Sequence, residues 1–467
     1  MCIRMLRTVH VSRHASWRRS YYHPASPLSK RLSRVFSSVP SSAIPTSAYE
    51  YQYVEDVETL EDYRSGGYHP VQIDDRLHTR YRIVHKLGHG TYSTAWLALD
   101  EQTSTYVAVK VGTADADKRE ADTLSQISKG ITAPISETAS STVPLPLDRF
   151  TIEGPNGIHP CLVTVPARCS LRQSKEACDW RLFQLDAARS LAAQLAMAVS
   201  YVHSQGYAHG DLHLGNCMLQ LPCSLNDLSV EQLYAKFGNP ELEPVVRSDG
   251  KPTSLAPGVP PFVVKPLWVG IPSDELTLAE AKLLLTDFGV AFRPSDNSRF
   301  QSYTPLVLRP PEAFFEPTAP LSFASDIWSL GCSIFELLGH RSLIDGIITP
   351  QDEITAQQVH LQGRLPSEWW DKWELRARWF DETGKPLSNE RDIWSWDRRF
   401  DEWVNGLRPS CGTDLVKDDE KAALLELLRR MLAWRPAERP SADDVLETTW
   451  MKQWALPAYA KGRKAWE

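Results

Sequence analysis

The chain has eight cysteines but no CxxC pair, which excludes the common zinc and redox spacings and leaves scattered reduced thiols rather than a disulfide frame. It also lacks any run of about 18 apolar residues, the length that a membrane-crossing helix needs, so no membrane span is expected. A strong positive charge is missing too. The formal net charge is −7, which argues against nucleic acid as the main partner and permits a basic protein. Acidic residues are absent altogether from Met1 to Tyr49. What is present, 42% hydrophobic and 23% charged residues over 467 positions, is the composition of a globular chain with enough apolar material for a large core. At this length two lobes or two domains are expected.

The acid-free segment 1–49 carries Arg4, Arg7, Arg13, Arg18, Arg19, Lys30, Arg31 and Arg34 among many serines. That composition fits a mitochondrial transit peptide, and "RVFSS" (34–38) resembles the pattern cut by the matrix processing protease. The alternative is a disordered basic tail with no address. The first reading implies a mitochondrial protein, the second a cytoplasmic or nuclear one.

Residues 50–78 are polar and acidic and read as a linker or N-terminal arm. "YRIVHKLGHGTYSTAWLALDEQTSTYVAVKVG" (81–112) alternates apolar and polar residues around turns and predicts three strands. "ADADKREADTLSQI" (114–127) predicts a short helix, 129–147 a Pro/Ser/Thr-rich loop, and "HPCLVTV" (159–165) a further buried strand. The pattern then becomes helical. Leu185, Ala188, Leu191, Ala192, Leu195, Val199 and Val202 share one face, and Gly206 supplies the stop. Residues 220–280 are Pro-rich and read as an irregular insertion. Seven tryptophans between 369 and 403 are interleaved with charges; they predict helix packing, with a substrate-docking surface as the alternative.

The chemistry-bearing residues lie along this frame in a fixed order. "GHGTYS" (88–93) puts Gly88 and Gly90 at a hairpin, where backbone amides could approach phosphates, although Ser93 stands at the third glycine position of GxGxxG. Lys110 ends "VAVK" on a strand from which an ammonium can reach phosphates. Glu120, ten residues later on the predicted helix, is placed to hold it by an ion pair. "HGDLHLGN" (209–216) offers Asp211 as the base that orients and deprotonates a hydroxyl, and His209 as a structural residue. Asn216 would be an oxygen ligand for Mg2+. "TDFG" (286–289), after the apolar "KLLL", offers Asp287 as the main metal carboxylate. Downstream, Glu312 of "RPPEAFF" is expected to pair with Arg439, and Asp326 of "SDIWSLG" to anchor the catalytic-loop backbone.

With these residues, the chain from about 78 to 455 resembles the eukaryotic protein-kinase domain. "LGHGTYSTAWLALD", the short lysine-to-glutamate spacing, the long insertion and "LRPPE" are similar to the SR-protein-kinase-like branch, in its fungal form. Members of that branch phosphorylate Ser in Arg/Ser-rich proteins. The resemblance implies an α+β, two-lobed fold: a small β-rich N-lobe (79–166), a larger helical C-lobe (167–455) and a C-terminal tail (456–467). It implies ATP and Mg2+ in the cleft, Ser/Thr as acceptor, a protein substrate and a monomer without direct nucleic-acid binding. It further implies a hinge within "CLVTVPARCSL" (161–171), with Thr164 near the gatekeeper position and the backbone of Val165 and Ala167 against adenine. Leu87, Gly88, Gly90, Ser93, Ala95, Ala108 and Lys110 would complete the nucleotide site.

Two residues depart from the family pattern. Gly210 replaces the arginine that commonly clamps a phosphate on the activation segment, so activity is expected without phosphorylation of Ser298, Ser302 or Thr304. His213 replaces a lysine that touches the transferring phosphoryl group; mostly neutral at pH 7, it could donate one hydrogen bond there. Two rival functions are weighed. "HGDLHxGN" also occurs in aminoglycoside- and choline-kinase-like enzymes, which generally lack the "PPE" and "SDIWSLG" features. A non-catalytic scaffold would tolerate loss of Lys110, Glu120, Asp211, Asn216 or Asp287, and all five are present.

Overall fold

The computed structural model describes residues 50–117, 119–129, 142–221, 223–249, 255–346, 349–389 and 392–466. The basic segment 1–49, with its transit-peptide reading, and part of the 129–147 loop lie outside these residues.

Alternation along the first strands builds a two-faced sheet. Strands β1 (Arg76–Leu77), β2 (Tyr81–Gly90), β3 (Ser93–Asp100), β4 (Thr105–Gly112), β5 (Asp148–Gly154) and β6 (Gly157–Thr164) pair antiparallel in the order β1-β2-β3-β4-β6-β5. Trp96, Ala98, Val107, Val109, Val111, Cys161 and Val163 pack on one face. The intervening residues Leu97 and Tyr106 pack on the other, as a period of two requires. On that second face Ala95 lies opposite Lys110, and Ala108 opposite Thr164. Helix α1 (Arg119–Ser128) lies between β4 and β5 in the chain.

Behind the sheet, α2 (Leu185–Ser204) is buried along most of its length. Strand β7 (Ala167–Ser170) pairs with β8 (Cys217–Gln220). The insertion that follows β8 is more ordered than its proline content predicts. It holds α3 (Val230–Phe237), opened by a reciprocal Ser229–Gln232 capping box, and a hairpin of β9 (Leu242–Pro244) with β10 (Phe262–Val264). Strands of three residues are too short for an alternating pattern to emerge, which is why the segment reads as irregular. The insertion also crosses to the N-terminal sheet. Leu233, Leu267 and Val269 pack with Val84, Leu97 and Tyr106, the Tyr234 hydroxyl donates to Val84 O (2.9 Å), and Leu267 N–H donates to Lys86 O (2.8 Å).

The arm 50–71 packs against the same insertion. Tyr51, Leu60, Tyr63 and Tyr68 are buried with Val245 and Val263. Beneath them Lys86, fully buried, is held by Glu58, which also accepts from the Tyr63 hydroxyl. This segment is therefore a packed arm rather than a linker.

The chain re-enters the larger core through β11 (Leu283–Leu285), antiparallel to β8. Helices α4 (Phe323–Leu338), α5 (Asp418–Met431) and α6 (Leu456–Arg463) complete that core. Helix α6 falls where a tail is expected. It buries Ala458 and Tyr459 and packs on α2, where Lys461 bonds Asp186 at 2.7 Å. The tryptophans are packing residues: Trp369, Trp370 and Trp373 form a cluster with Phe315 and Phe380, and Trp396 and Trp403 join the main core.

Candidate active site

Two adjacent strands bring the acidic and amide groups of the cleft together. The loop 209–216 runs into β8, and "TDFG" leaves β11, the antiparallel neighbour of β8. The two ends are tied where they emerge, since Thr286 donates to Asn216 O through its N–H (2.8 Å) and its hydroxyl (3.0 Å). A second tie lies further along, where Ala208 and Phe292 exchange backbone hydrogen bonds of 2.8 and 3.0 Å. His209 spans both segments: its Nε2 is 3.0 Å from Thr286 O and its ring meets Phe288 edge-on.

Lys110 reaches this point from the sheet. Its ammonium lies 2.9 and 2.8 Å from the two Glu120 carboxylate oxygens and 2.9 Å from Asp287 Oδ1. Burial alone would lower the lysine pKa; the two carboxylates outweigh it and raise it, so Lys110 stays cationic at any physiological pH. The charge of Lys110 in turn holds the Asp287 carboxyl below its ordinary range. Asp287 has φ of +65°, a left-handed conformation unusual for a residue with a side chain.

Asp211 has one oxygen engaged and one without a hydrogen-bond partner. Asn216 Nδ2 donates to Asp211 O (2.9 Å) and Oδ2 (3.2 Å), which turns the Asn216 amide donor inward and leaves its oxygen without a described partner. Asp211 Oδ1 is buried without a hydrogen-bond partner, with His213 Nε2 3.5 Å away. His213 is oriented by its own loop. Gly215 N–H donates to His213 Nδ1 at 3.0 Å, so the neutral ring carries its proton on Nε2, toward Asp211. A Cβ on Gly215 would stand 2.7 Å from that ring, so a larger residue there would displace it.

The loop backbone is held from below by Asp326, fully enclosed on α4. Its Oδ2 accepts from His209 N–H (2.6 Å) and faces His203 Nε2 (3.0 Å), while its Oδ1 accepts from Gly210 N–H (2.9 Å). Gly210 has φ of +79°, and a Cβ there would stand 3.1 Å from Val290 O and 3.2 Å from the Phe292 ring. Its place in the motif thus answers a backbone demand as well as removing an arginine. Glu312 and Arg439 form the expected pair, bidentate at 2.7 and 2.6 Å.

Of the residues expected at a nucleotide, Ala95, Ala108 and Lys110 share one sheet face, and the two alanines leave room beside the ammonium. A Cβ added to Gly88 or Gly90 would meet no atom within 4 Å, so the space above both glycines is open. Leu87 sits at a register shift between Lys86 and Gly88, and Ser93 at the start of β3. Val165 is exposed and Ala167 partly buried, on the connection from β6 to β7.

Two groups near the site escape a reading of the sequence. The Tyr68 hydroxyl, from the arm, donates to Gly90 O (2.8 Å) and Thr91 O (3.2 Å) at the tip of the glycine hairpin. Thr304 is buried, and its hydroxyl donates to Gly210 O at 3.3 Å. Neither stands in a local pattern, because each partner is far along the chain.

A cleft with a lysine–glutamate pair on the sheet side and an Asp–Asn loop beside a DFG turn on the helical side has the layout of the protein-kinase fold. Residues 274–451 match the protein kinase domain model. The chain is 25% identical over 440 residues to a serine/threonine protein kinase of Aspergillus fumigatus, covering 90% of this chain and 98% of the relative. It is 26% identical over 427 residues to the serine/threonine-protein kinase SRPK of Physarum polycephalum, covering 84% and 91%. It is 30% identical over 168 residues to human SRSF protein kinase 3, covering 35% of this chain and 30% of the relative. The crystal structure of a kinase domain matches the fold with a TM-score of 0.53 at 19% identity, covering 82% of this chain and 98% of that one. Over most of its length the chain is similar to serine/threonine protein kinases, SR-protein kinases among them, and these likenesses support serine/threonine protein kinase activity. The metabolite-kinase and scaffold alternatives are not favoured.

Proposed function

We propose that this kinase transfers the γ-phosphate of ATP to Ser or Thr hydroxyls of Arg/Ser-rich protein segments, with Asp211 as the base. The Asp211 carboxylate carries this reading: it is partly exposed, held through Oδ2 by Asn216 and faced at Oδ1 by His213 Nε2 at 3.5 Å, and is placed to take a hydroxyl proton. As the acceptor oxygen bonds to the γ-phosphorus and the bond to the β-phosphate oxygen breaks, Asp211 receives the proton. Lys110, oriented by Glu120, would hold the nucleotide phosphates. The open space above Gly88 and Gly90 suits a phosphate chain. The oxygen-only donors Asn216 and Asp287 suit Mg2+, which when bound screens the phosphate charge. His213 Nε2–H, beside Asp211, would steady the carboxylate rather than replace a lysine. The Arg/Ser preference is supported by the likeness to the SRPK of Physarum polycephalum and to human SRSF protein kinase 3.

A degenerate peptide library with [γ-32P]ATP tests both parts. Wild type is expected to label Ser or Thr flanked by Arg, and Asp211→Asn to lose on the order of 100-fold or more in rate. Equal labelling by the two proteins would remove Asp211 from the mechanism, and selection of acceptors without flanking Arg would remove the substrate class.

A further inference from the structure

Between β7 and α2 the chain makes one short helix, Leu171–Glu176, opened by a reciprocal Ser170–Gln173 capping box. The cap fixes the phase of its first turn. Leu171 is fully buried, and the next residue, Arg172, meets the loop 209–216, where its N–H donates to Leu214 O at 3.2 Å. A Cβ placed on Gly215 would stand 3.6 Å from Arg172 Cζ and 2.7 Å from the His213 ring. Across that ring, His213 Nε2 lies 3.5 Å from Asp211 Oδ1. Asp211, His213 and the Arg172 guanidinium therefore follow one another over a short span. Asn216 meets the other carboxylate oxygen, Oδ2, so the His213–Arg172 side of Asp211 is distinct from the side proposed to hold Mg2+. Arg172 is partly buried, and among the described residues its guanidinium has no ion-pair, hydrogen-bond or ring partner. Gly215 brings no side chain, so the loop itself offers no carboxylate at this place.

We infer that Arg172 selects an acidic side chain in the acceptor, two or three residues from the reacting hydroxyl. An extended acceptor that runs from Asp211 across His213 advances about 3.3–3.6 Å per residue, which brings its second or third neighbour to the guanidinium. The planar fork of an arginine matches a carboxylate through two parallel hydrogen bonds. A partly buried cation without a partner gains more from such a group than one in open water. An arginine at the same place would meet like charge. The acceptor is then a mixed-charge segment, with Arg elsewhere and Asp or Glu at this one position. The place of the hydroxyl beside Asp211 is taken from the proposed function, which the charge preference deepens.

The test is a peptide library degenerate around a fixed Ser, labelled with [γ-32P]ATP by full-length wild type, Arg172→Gln and Arg172→Glu. Wild type is expected to favour Asp or Glu over Arg by about tenfold at one position two or three residues from the Ser. Arg172→Gln should flatten that position alone. Arg172→Glu should invert it toward Arg or Lys while selection elsewhere stays, and an inverted preference cannot come from a damaged fold. A second arm needs no turnover. Fluorescein-labelled Ser peptides, identical except for Asp or Arg at each of these positions in turn, are compared by anisotropy. Wild type should bind one Asp peptide more tightly than its Arg twin, and Arg172→Glu should bind the Arg twin more tightly. Labelling without selection of Arg at any other position would remove the Arg/Ser substrate class and leave the role of Arg172 standing. No labelling with the binding preference intact would remove the kinase reading alone. Equal binding of all twins by wild type, or a wild-type preference in Arg172→Glu, would overturn the role of Arg172.

Discussion

Replacing Asp326 by Asn changes one atom and leaves the shape of the side chain intact. The carboxylate serves three donors with two oxygens: Oδ2 meets His209 N–H and His203 Nε2, and Oδ1 meets Gly210 N–H. An amide that keeps its oxygen at the Oδ2 place must turn its NH2 toward Gly210 N–H, donor against donor. A buried backbone N–H left unsatisfied costs about 1–3 kcal/mol. That loss falls on the residue at φ +79°, one position before Asp211. Urea unfolding of Asp326→Asn should show a loss of about 1–3 kcal/mol, and displacement of Asp211, the proposed base, should lower kcat on the order of 10- to 100-fold. KM for ATP should hardly move, because the Lys110 side of the cleft shares no bond with Asp326. The acid limb supplies an independent readout. Burial alone would raise the Asp326 pKa, but its hydrogen bond with His203, nearby histidine charge and the Gly210 amide hold it below the ordinary 3.8. A depressed carboxylate contributes stability that is fully present above the unfolded value and is lost as pH falls through the folded one. Wild type should therefore lose stability below about pH 4 more steeply than the Asn variant. An Asn variant with wild-type stability, kcat and acid limb would refute the anchoring role.

Tyr68→Phe removes the two hydrogen bonds to the glycine hairpin and should raise KM for ATP by about 2- to 10-fold with kcat little changed, read from steady-state kinetics. Arg439→Leu leaves the buried Glu312 carboxylate without its bidentate partner. Chemical denaturation should show a loss of about 3–5 kcal/mol.

The proposed catalytic set is legible because its geometry is local. Lys110 and Glu120 sit ten residues apart on a strand and the helix after it, and Asp211 and Asn216 share one loop. Asp287 comes to Asn216 through a single antiparallel strand pair. Gly210 is legible only as a missing arginine, since a positive φ set by Asp326 and crowded by Val290 and Phe292 leaves no mark on the sequence around it. Tyr68 and Thr304 escape for a related reason: their partners are chosen by the tertiary fold, and a single tyrosine or threonine has no period. In the insertion, short strands and prolines hide a packed element whose apolar residues find their partners more than a hundred residues upstream.

The packing of the insertion on the sheet has a bearing on how the chain is made. The sheet face bearing Val84, Leu97 and Tyr106 is covered by Leu233, Leu267 and Val269. During synthesis from the N-terminus the strands emerge long before their cover, at about 5–20 residues per second. For roughly ten to thirty seconds the nascent sheet therefore presents an open apolar surface on the ribosome. The small sheet cannot mature as an autonomous unit: its completion awaits residues that lie beyond the loop carrying Asp211, so the half proposed to hold the nucleotide is finished only after that loop has itself been made.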